Sequence, residues 1–240
     1  NTKTLAAIDI GTNAIRLFIS NVEEYPTETL FKKIAFLRVP IRLGEDVFTT
    51  GEIGQQKRKR LCETMQGFSY IMSAFNVESY KAYATCAMRE ARNGKSVAEQ
   101  IQKECDLNIE IISGTKEAET IFAGGMNEVV DDDKTYLYVD VGGGSTEGIV
   151  YSKSVKVEAC SFPLGTVRML NDAVDKEEMK HFKKWLKNIT EKYTPDAIIG
   201  SGGNINKIHK LLNKKERERI TYQELDILYE YMKSKNGNGS

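Results

Sequence analysis

One short pattern occurs twice in this chain, and its repetition constrains the fold more than any other feature of the sequence. Each copy is an apolar strand, an aspartate at its end, a glycine-rich turn and a returning strand. The first copy covers residues 5–19 around Asp9, and the second covers residues 136–151 around Asp140. The two aspartates lie 131 positions apart, about the length of one domain. The sequence therefore predicts two similar lobes.

Strand and helix patterns alternate along the rest of the chain, which indicates an α/β fold. We expect further strands at residues 28–39, 80–84, 109–112 and 155–161, a buried strand at 197–199, a turn at 85–91, and helices at 53–75, 96–105, 116–127, 176–192 and 205–212. The predicted division is an N-terminal lobe over residues 1–127, a C-terminal lobe over residues 128–235, and a disordered tail or linker over residues 236–240.

Composition excludes several classes of protein. Lys plus Arg and Asp plus Glu each number 34, so the formal net charge is zero, and neither a nucleic acid nor an anionic membrane is an expected partner. No apolar run approaches the roughly 20 residues that span a bilayer. Four widely spaced cysteines and two histidines make a zinc site unexpected and favour the reducing cytoplasm.

The two turns have the composition of a phosphate cradle. A phosphate chain needs backbone N–H donors at close range, and glycine removes side chains that would obstruct them. The predicted phosphate-binding residues are Gly11, Thr12 and Asn13 in the first turn and Gly142, Gly143, Gly144, Ser145 and Thr146 in the second. The aspartate before each turn is suited to holding Mg²⁺ through water, or to orienting a water. Ordinary glycine turns are the alternative, which the repetition disfavours. Residues 200–203 are a third, weaker candidate for an anion or nucleotide site.

These segments resemble the exopolyphosphatase and guanosine pentaphosphate phosphohydrolase (Ppx/GppA) family, part of the actin–Hsp70–sugar kinase superfamily. The resemblance rests on DIGTN at residues 9–13, ISGTKEA at 112–118 and DVGGGSTE at 140–147, with REA at 89–91 and LGT at 164–166 in the same order. It covers residues 5 to about 230. The resemblance implies two ribonuclease-H-like (actin-like ATPase) lobes with a cleft between them.

The resemblance also implies Mg²⁺-dependent removal of a terminal phosphate, with Mn²⁺ as another candidate metal. By position, Glu117 matches the catalytic glutamate that activates water, and Arg89 matches a phosphate-binding arginine. Asp140 and Glu147 match the acidic residues that serve metal and water, and Asp9 is a further candidate metal ligand. The implied partners are polyphosphate or guanosine penta- and tetraphosphate, and a homodimer is left open.

Each of these residues also has an ordinary structural explanation. Glu117 could be a first-turn glutamate stabilised by the helix dipole, Arg89 a surface arginine paired with Glu90 or Glu117, and Glu147 a solvated strand residue. The basic cluster at residues 57–60 could follow a long polyanion or could simply be a solvated helix face.

The sequence departs from the family pattern at four places. Ala14 replaces a serine, Lys116 replaces a second glutamate, and Asn204 replaces a threonine after the third glycine turn. Lys116 could bind phosphate or pair with Glu117 and lower its basicity. The C-terminal lobe is also expected to be shortened, since family members usually continue further.

Four functions follow in order of preference. The first is an exopolyphosphatase, and the second, with the same chemistry, is a guanosine pentaphosphate 5′-phosphohydrolase. The third is a non-catalytic polyphosphate or alarmone sensor, which the departures at Ala14 and Lys116 and the shortened C-terminus would explain. The fourth, a sugar kinase of the same superfamily, is disfavoured by Glu117 and Asn204.

Overall fold

The computed structural model describes residues 2–123, 131, 133–153, 155–215 and 218–236. The strands are β1 Thr2–Ile10, β2 Ile15–Glu24, β3 Thr29–Val39, β4 Ser79–Ala84, β5 Glu110–Ile111, β6 Thr135–Val141, β7 Thr146–Ser152, β8 Val155–Phe162 and β9 Ala197–Ser201. The helices are α1 Leu43–Thr50, α2 Gln55–Ala74, α3 Cys86–Glu90, α4 Gly94–Cys105, α5 Gly114–Ala123, α6 Thr166–Leu170, α7 Lys176–Tyr193, α8 Gly203–Leu211 and α9 Tyr222–Asn236.

The strands form two sheets that share the same order of their first four strands. The first sheet has the order β3-β2-β1-β4-β5, in which β1, β2 and β3 are antiparallel neighbours and β4 and β5 continue in parallel. The second has the order β8-β7-β6-β9, with antiparallel β6, β7 and β8 and with β9 parallel to β6. This shared ribonuclease-H-like order confirms the predicted α/β fold with two similar halves.

The repeated turns are also equivalent in detail. The N–H of Gly11 donates to the carbonyl of Ala14 at 3.1 Å, and the N–H of Gly142 donates to the carbonyl of Ser145 at 2.9 Å. Each turn therefore closes a tight hairpin. In both halves the aspartate lies near the carboxyl end of the first hairpin strand.

The two halves have separate hydrophobic cores. Period-two burial in β1 and β2 places Ile8, Ile10 and Leu17 under helices α2 and α4 in the larger core. In the smaller core, Phe162 and Trp185 pack with their ring centroids 5.3 Å apart, because the apolar stripe of α7 lies on β7 and β8. The predicted boundary between residues 127 and 128 lies outside the described residues.

Several local predictions were wrong. Residues 86–90 form the short helix α3 instead of a turn, and helices α1, α6 and α9 were not expected. Strand β9 is not buried, since Ile198 keeps 69% of its surface exposed. Residue 236, which was assigned to the tail, ends helix α9, while residues 237–240 lie outside the described residues.

Among the described residues, no helix has both the length and the apolar character needed to cross a membrane.

The contact of Gly148 with Trp185 gives a stability test. A Cβ atom at Gly148 would lie 2.5 Å from the indole ring, whereas a Cβ at Gly67, inside α2, would meet nothing within 4 Å. We expect Gly148→Ala to lower the free energy of unfolding by about 1–3 kcal/mol through overpacking. The control Gly67→Ala should raise it by about 0.5–1 kcal/mol. Urea unfolding measures both, and equal stability of Gly148→Ala and wild type would contradict this packing.

Candidate functional site

The two hairpins present different charges to the site although their backbones match. In the first sheet Asp9 is paired across the strands with Arg16, whose Nη1 donates to Asp9 Oδ2 at 2.7 Å. In the second sheet the same position opposite Asp140 is occupied by Glu147. One half therefore contributes a neutral ion pair, and the other contributes two carboxylates.

In the second turn, residues 142–146, successive backbone N–H groups are left without acceptors among the described residues. Its three glycine carbonyls all accept hydrogen bonds from the start of α6. These bonds run from Thr166 N to Gly142 O at 3.1 Å, from Val167 N to Gly143 O at 2.8 Å, and from Arg168 Nε to Gly144 O at 2.9 Å. Because C=O and the following N–H point in opposite directions across a trans peptide, the N–H groups of Gly143, Gly144 and Ser145 point away from α6. They donate to no described residue, and can therefore receive an anion.

The first turn is held in the same way. The N–H groups of Gly44 and Arg42, at the start of α1, donate to the carbonyls of Thr12 at 3.0 Å and Asn13 at 2.9 Å. The N–H of Asn13 then points away from α1 and donates to no described residue. Of the predicted hydroxyl donors, that of Thr146 is already used, since it donates to Leu164 O at 2.6 Å.

Close packing between the turns explains the glycines of the second turn. A Cβ atom at Gly143 would lie 3.1 Å from the Thr12 side chain, and one at Gly144 would lie 2.5 Å from the Cys86 sulfur. Neither glycine has a positive φ. These glycines therefore let the two halves touch, a reason for glycine that the sequence did not reveal, whereas the clearing of space for a ligand stays a prediction.

Glu117 reaches the same region from helix α5. The Ser113 hydroxyl accepts a hydrogen bond from the Lys116 N–H at 3.2 Å and caps the helix, so Glu117 lies in its first turn. Helix α5 contacts β7 and β8 of the second sheet, and Gly114 lies directly against Ser161. The Glu117 side chain keeps only 18% of its surface exposed, and its buried Oε2 has no hydrogen-bond partner. Arg89 Nη1 lies 3.6 Å from that oxygen and donates to Ile112 O at 2.8 Å.

The surroundings disfavour the ionised form of these carboxyl groups. Burial first, and then the charge of Glu147, raise the pKa of Glu117 to about 8, against the opposing effect of Arg89. Burial also raises the pKa of Asp140 and Asp9, with Arg16 opposing the rise in each case. The charges of Glu147, Asp9 and Asp140 all oppose ionisation of Glu117.

Glu147 is a buried and oriented residue. It is 1% exposed, and its Oε1 accepts a hydrogen bond from the Ser161 hydroxyl at 3.0 Å. Burial raises the pKa of Glu147, and hydrogen bonds from Ser145 and Ser161 partly offset that rise. The alternative of a solvated strand residue is wrong.

The other residues singled out in the sequence lie as follows. Lys116 pairs with Glu110 and lies over the Tyr83 ring, so it does not neutralise Glu117. In the basic cluster, Lys57 is paired with Glu45 at 3.0 Å and Asp46 at 2.8 Å, and so is already neutralised. Of the two histidines, His181 packs edge-on against Phe162.

The third glycine turn lies beside the carboxylates. Gly202 has φ +95°, and a Cβ there would lie 2.7 Å from Asp140 Oδ1. Strand β9 pairs with β6 in parallel so that Ser201 is opposite Asp140. The residues 200–203 that the sequence marked as a weaker candidate therefore border the second sheet's carboxylate pair.

Comparison with known proteins identifies the family of the chain. The sequence pattern of the Ppx/GppA phosphatase family matches residues 19–237. The chain belongs to this family. A bifunctional 3-dehydroquinate synthase/phosphatase from Fusobacterium nucleatum is 32% identical over 68% of the chain, and Exopolyphosphatase 2 from Mycobacterium tuberculosis is 29% identical over 69%. The chain spans 25% and 53% of the lengths of these two relatives.

A solved structure supports the fold of this family member. The crystal structure of an exopolyphosphatase from Cytophaga hutchinsonii superimposes with a TM-score of 0.77 at 25% sequence identity. The superposition covers 92% of this chain and 74% of that protein.

Phosphatases of the Ppx/GppA family generally depend on a metal ion. Within the described residues, no group of three or more His, Cys, Asp or Glu side chains is arranged to hold a metal by itself. The residues nevertheless fit a hard cation, because Asp140 and Glu147 are desolvated oxygen donors and Glu117 Oε2 accepts no hydrogen bond. Mg²⁺ is commonly held by one or two carboxylates together with water and substrate phosphates.

Three residues of the site were not assigned a role from the sequence. Arg16 could have been found from the strand period, because a hairpin closing at Gly11 places it opposite Asp9. Ser161 orients Glu147 from the neighbouring strand. This contact was missed because the register of β8 could not be predicted from the sequence. Arg168 contacts Glu90, which is 78 positions away, and no local pattern marks such a contact.

The raised pKa of Glu117 predicts a stability change with a definite sign. Wild type should lose stability as the pH rises from 4.5 towards 8, because the unfolded chain releases this proton before the folded protein does. Without metal, Glu117→Gln should be as stable as wild type at pH 4.5 and more stable at pH 8.5. The gain should reach at most about 5 kcal/mol, since the pKa of Glu117 is raised from 4.5 to about 8 and each pKa unit between the two states is worth about 1.4 kcal/mol.

Urea unfolding in EDTA at several pH values measures this difference. The exposed residue Glu63 in α2 supplies the control, and Glu63→Gln should show no comparable gain at high pH. A Glu117→Gln protein that is no more stable than wild type at pH 8.5 would show that the folded state does not disfavour the ionised carboxylate.

Proposed function

We propose that this chain hydrolyses the terminal phosphoanhydride bond of inorganic polyphosphate. One observation carries the proposal: Glu117, whose buried Oε2 accepts no hydrogen bond, lies near Asp140 and Glu147, beside a turn with three open N–H groups. Exopolyphosphatase 2 of M. tuberculosis is among the relatives, which agrees with this choice of substrate.

The proposed roles follow from what hydrolysis at phosphorus requires. The attacking water must be held in line with the bond that breaks, and the charge on the equatorial oxygens must be neutralised. Glu117 orients the water and receives its proton, for which a carboxylate with a pKa near the working pH is suited. The N–H groups of the second turn and the guanidinium of Arg89 bind the terminal phosphate. The first turn binds the next phosphate of the chain.

Asp140 and Glu147 are the proposed holders of Mg²⁺, with Mn²⁺ as a substitute, and Asp9 contributes through water. The metal would supply positive charge to the phosphate oxygens. The pairing of Asp9 with Arg16 reduces the charge of the first half, which places the greater part of the negative charge at Asp140 and Glu147. The proposed compartment is the cytoplasm, in agreement with four cysteines that are all free thiols.

Guanosine pentaphosphate is the second candidate substrate. The observation that favours it is the glycine turn at residues 200–203, which lies against Asp140 and precedes helix α8. The backbone at a helix start is a place for the nucleoside end of a substrate or its 3′-phosphates. Both substrates would present the same terminal phosphoanhydride to Glu117.

Phosphate release tests the proposed chemistry. Wild type with Mg²⁺ should release phosphate from long-chain polyphosphate, and Glu117→Gln should lower kcat by about 10²–10⁴-fold, the usual contribution of general base catalysis. The matched control is Glu119→Gln on the same helix, because Glu119 is exposed and pairs with Lys156. This control should retain the wild-type kcat.

The two substrates are compared in the same assay. A higher kcat/KM for guanosine pentaphosphate would identify the alternative substrate without changing the assigned residues. Tight calorimetric binding of polyphosphate with no turnover of either substrate would contradict the hydrolase and favour a sensor. Full activity of Glu117→Gln would contradict only the role assigned to Glu117, and the proposed hydrolase activity would stand.

Metal dependence is tested at Asp140. Chelation should abolish phosphate release, and Asp140→Asn should raise the Mg²⁺ concentration for half-maximal activity by about 10- to 100-fold. Asp226→Asn, on the exposed face of α9, is the control and should leave the Mg²⁺ requirement unchanged. An unaltered requirement in Asp140→Asn would show that this carboxylate does not serve the metal.

A further inference from the structure

A buried arginine joins the two halves next to the site. Arg168 belongs to the short helix α6, and its side chain is 11% exposed. Its Nη2 donates to both carboxylate oxygens of Glu90 at 2.6 Å, and its guanidinium carbon lies 4.2 Å from the centre of the Phe48 ring. Glu90 ends α3 and Phe48 lies in α1, so both partners belong to the half that contains the first sheet.

The same guanidinium holds the second phosphate turn. Its Nε donates to Gly144 O at 2.9 Å, and it thereby fixes the peptide whose N–H belongs to Ser145. Arg168 is therefore bonded at one end to the proposed phosphate cradle and at the other to a carboxylate of the opposite half. Arginine is suited to this task because its planar fork of donors has a fixed geometry.

Glu90 is also next in the chain to a residue of the proposed site. It follows Arg89 in α3, and the Arg89 guanidinium lies 3.6 Å from Glu117 Oε2. A displacement of α3 would move Arg89 relative to the glycine turn. The ion pair between Arg168 and Glu90 therefore determines how far the phosphate-binding turn lies from Arg89 and Glu117.

We propose that Arg168 and Glu90 form a positioning pair that keeps the two halves closed with the second turn aligned on Glu117. Neither residue touches the substrate, and both act through the groups that do. The effect on catalysis rests on the proposed function, whereas the effect on closure does not.

The kinetic test uses Glu90→Gln, Arg168→Met and the double variant. We expect each single variant to lower kcat for tripolyphosphate by about 10- to 100-fold, because a small misplacement of reacting groups is costly. KM should change by less than about threefold, since the turn still binds phosphate. The double variant should be no slower than the slower single variant, because both substitutions remove one shared interaction. Glu52→Gln is the matched control, as it breaks an exposed ion pair with Arg92 within one half and should leave kcat unchanged.

The conformational test uses small-angle X-ray scattering of the same proteins. Glu90→Gln should have a larger radius of gyration than wild type, and the Glu52→Gln control should not. Additive losses in the kinetic cycle, a change confined to the melting temperature, or an unchanged radius of gyration would overturn the proposal. If Arg168→Met does not fold, the nearly isosteric Glu90→Gln decides both tests alone. A wild type that releases no phosphate would overturn the proposed function, and the scattering comparison would still decide the role of the pair.

Discussion

Crowding of carboxyl groups is the constraint on which the rest of this site depends. Asp9, Asp140, Glu147 and Glu117 come from three different parts of the chain, and burial raises the pKa of each. The charges of neighbouring carboxylates raise the pKa of Glu117, Asp140 and Glu147 further. Such an arrangement costs stability and persists only where the surrounding structure enforces it. The surrounding structure enforces it through Arg16 beside Asp9, Arg89 beside Glu117, and Ser161 bonded to Glu147. Binding of a cation and a phosphate would convert this repulsion into attraction, which is the physical basis of the proposed activity.

The duplicated fold supplies the crowding by joining two equivalent hairpins edge to edge. The contact is direct, because Gly143 and Gly144 pack against Thr12. Helix α5 then connects the halves a second time, since it follows the first sheet in the chain but contacts β7 and β8. One hairpin carries an ion pair and the other carries two carboxylates, so the two halves differ in charge although they share one backbone plan.

Much of the fold and of the candidate site could be predicted from the sequence, because the motifs that indicate them are short and continuous in the chain. The repeated pattern of strand, aspartate and glycine turn predicted both sheets. It also placed Asp9 and Asp140 near the carboxyl ends of their strands. Short helices escaped prediction, since the five residues of α3 or α6 are too few to show a helical period. The contacts that orient the site were also unreadable, because the bonds of Ser161 to Glu147 and of Arg168 to Glu90 depend on tertiary packing. The assigned roles of the site residues stay predictions.

The most direct test of the central claim is the fate of solvent oxygen during turnover. Phosphate released from polyphosphate in a single turnover in ¹⁸O-enriched water would be analysed by mass spectrometry. The account predicts one solvent oxygen in each released phosphate, because water attacks the terminal phosphorus. Phosphate without solvent oxygen, or label found only in the shortened chain, would contradict it, since the phosphoryl group would then have been transferred to another acceptor or the attack would have occurred at the penultimate phosphorus.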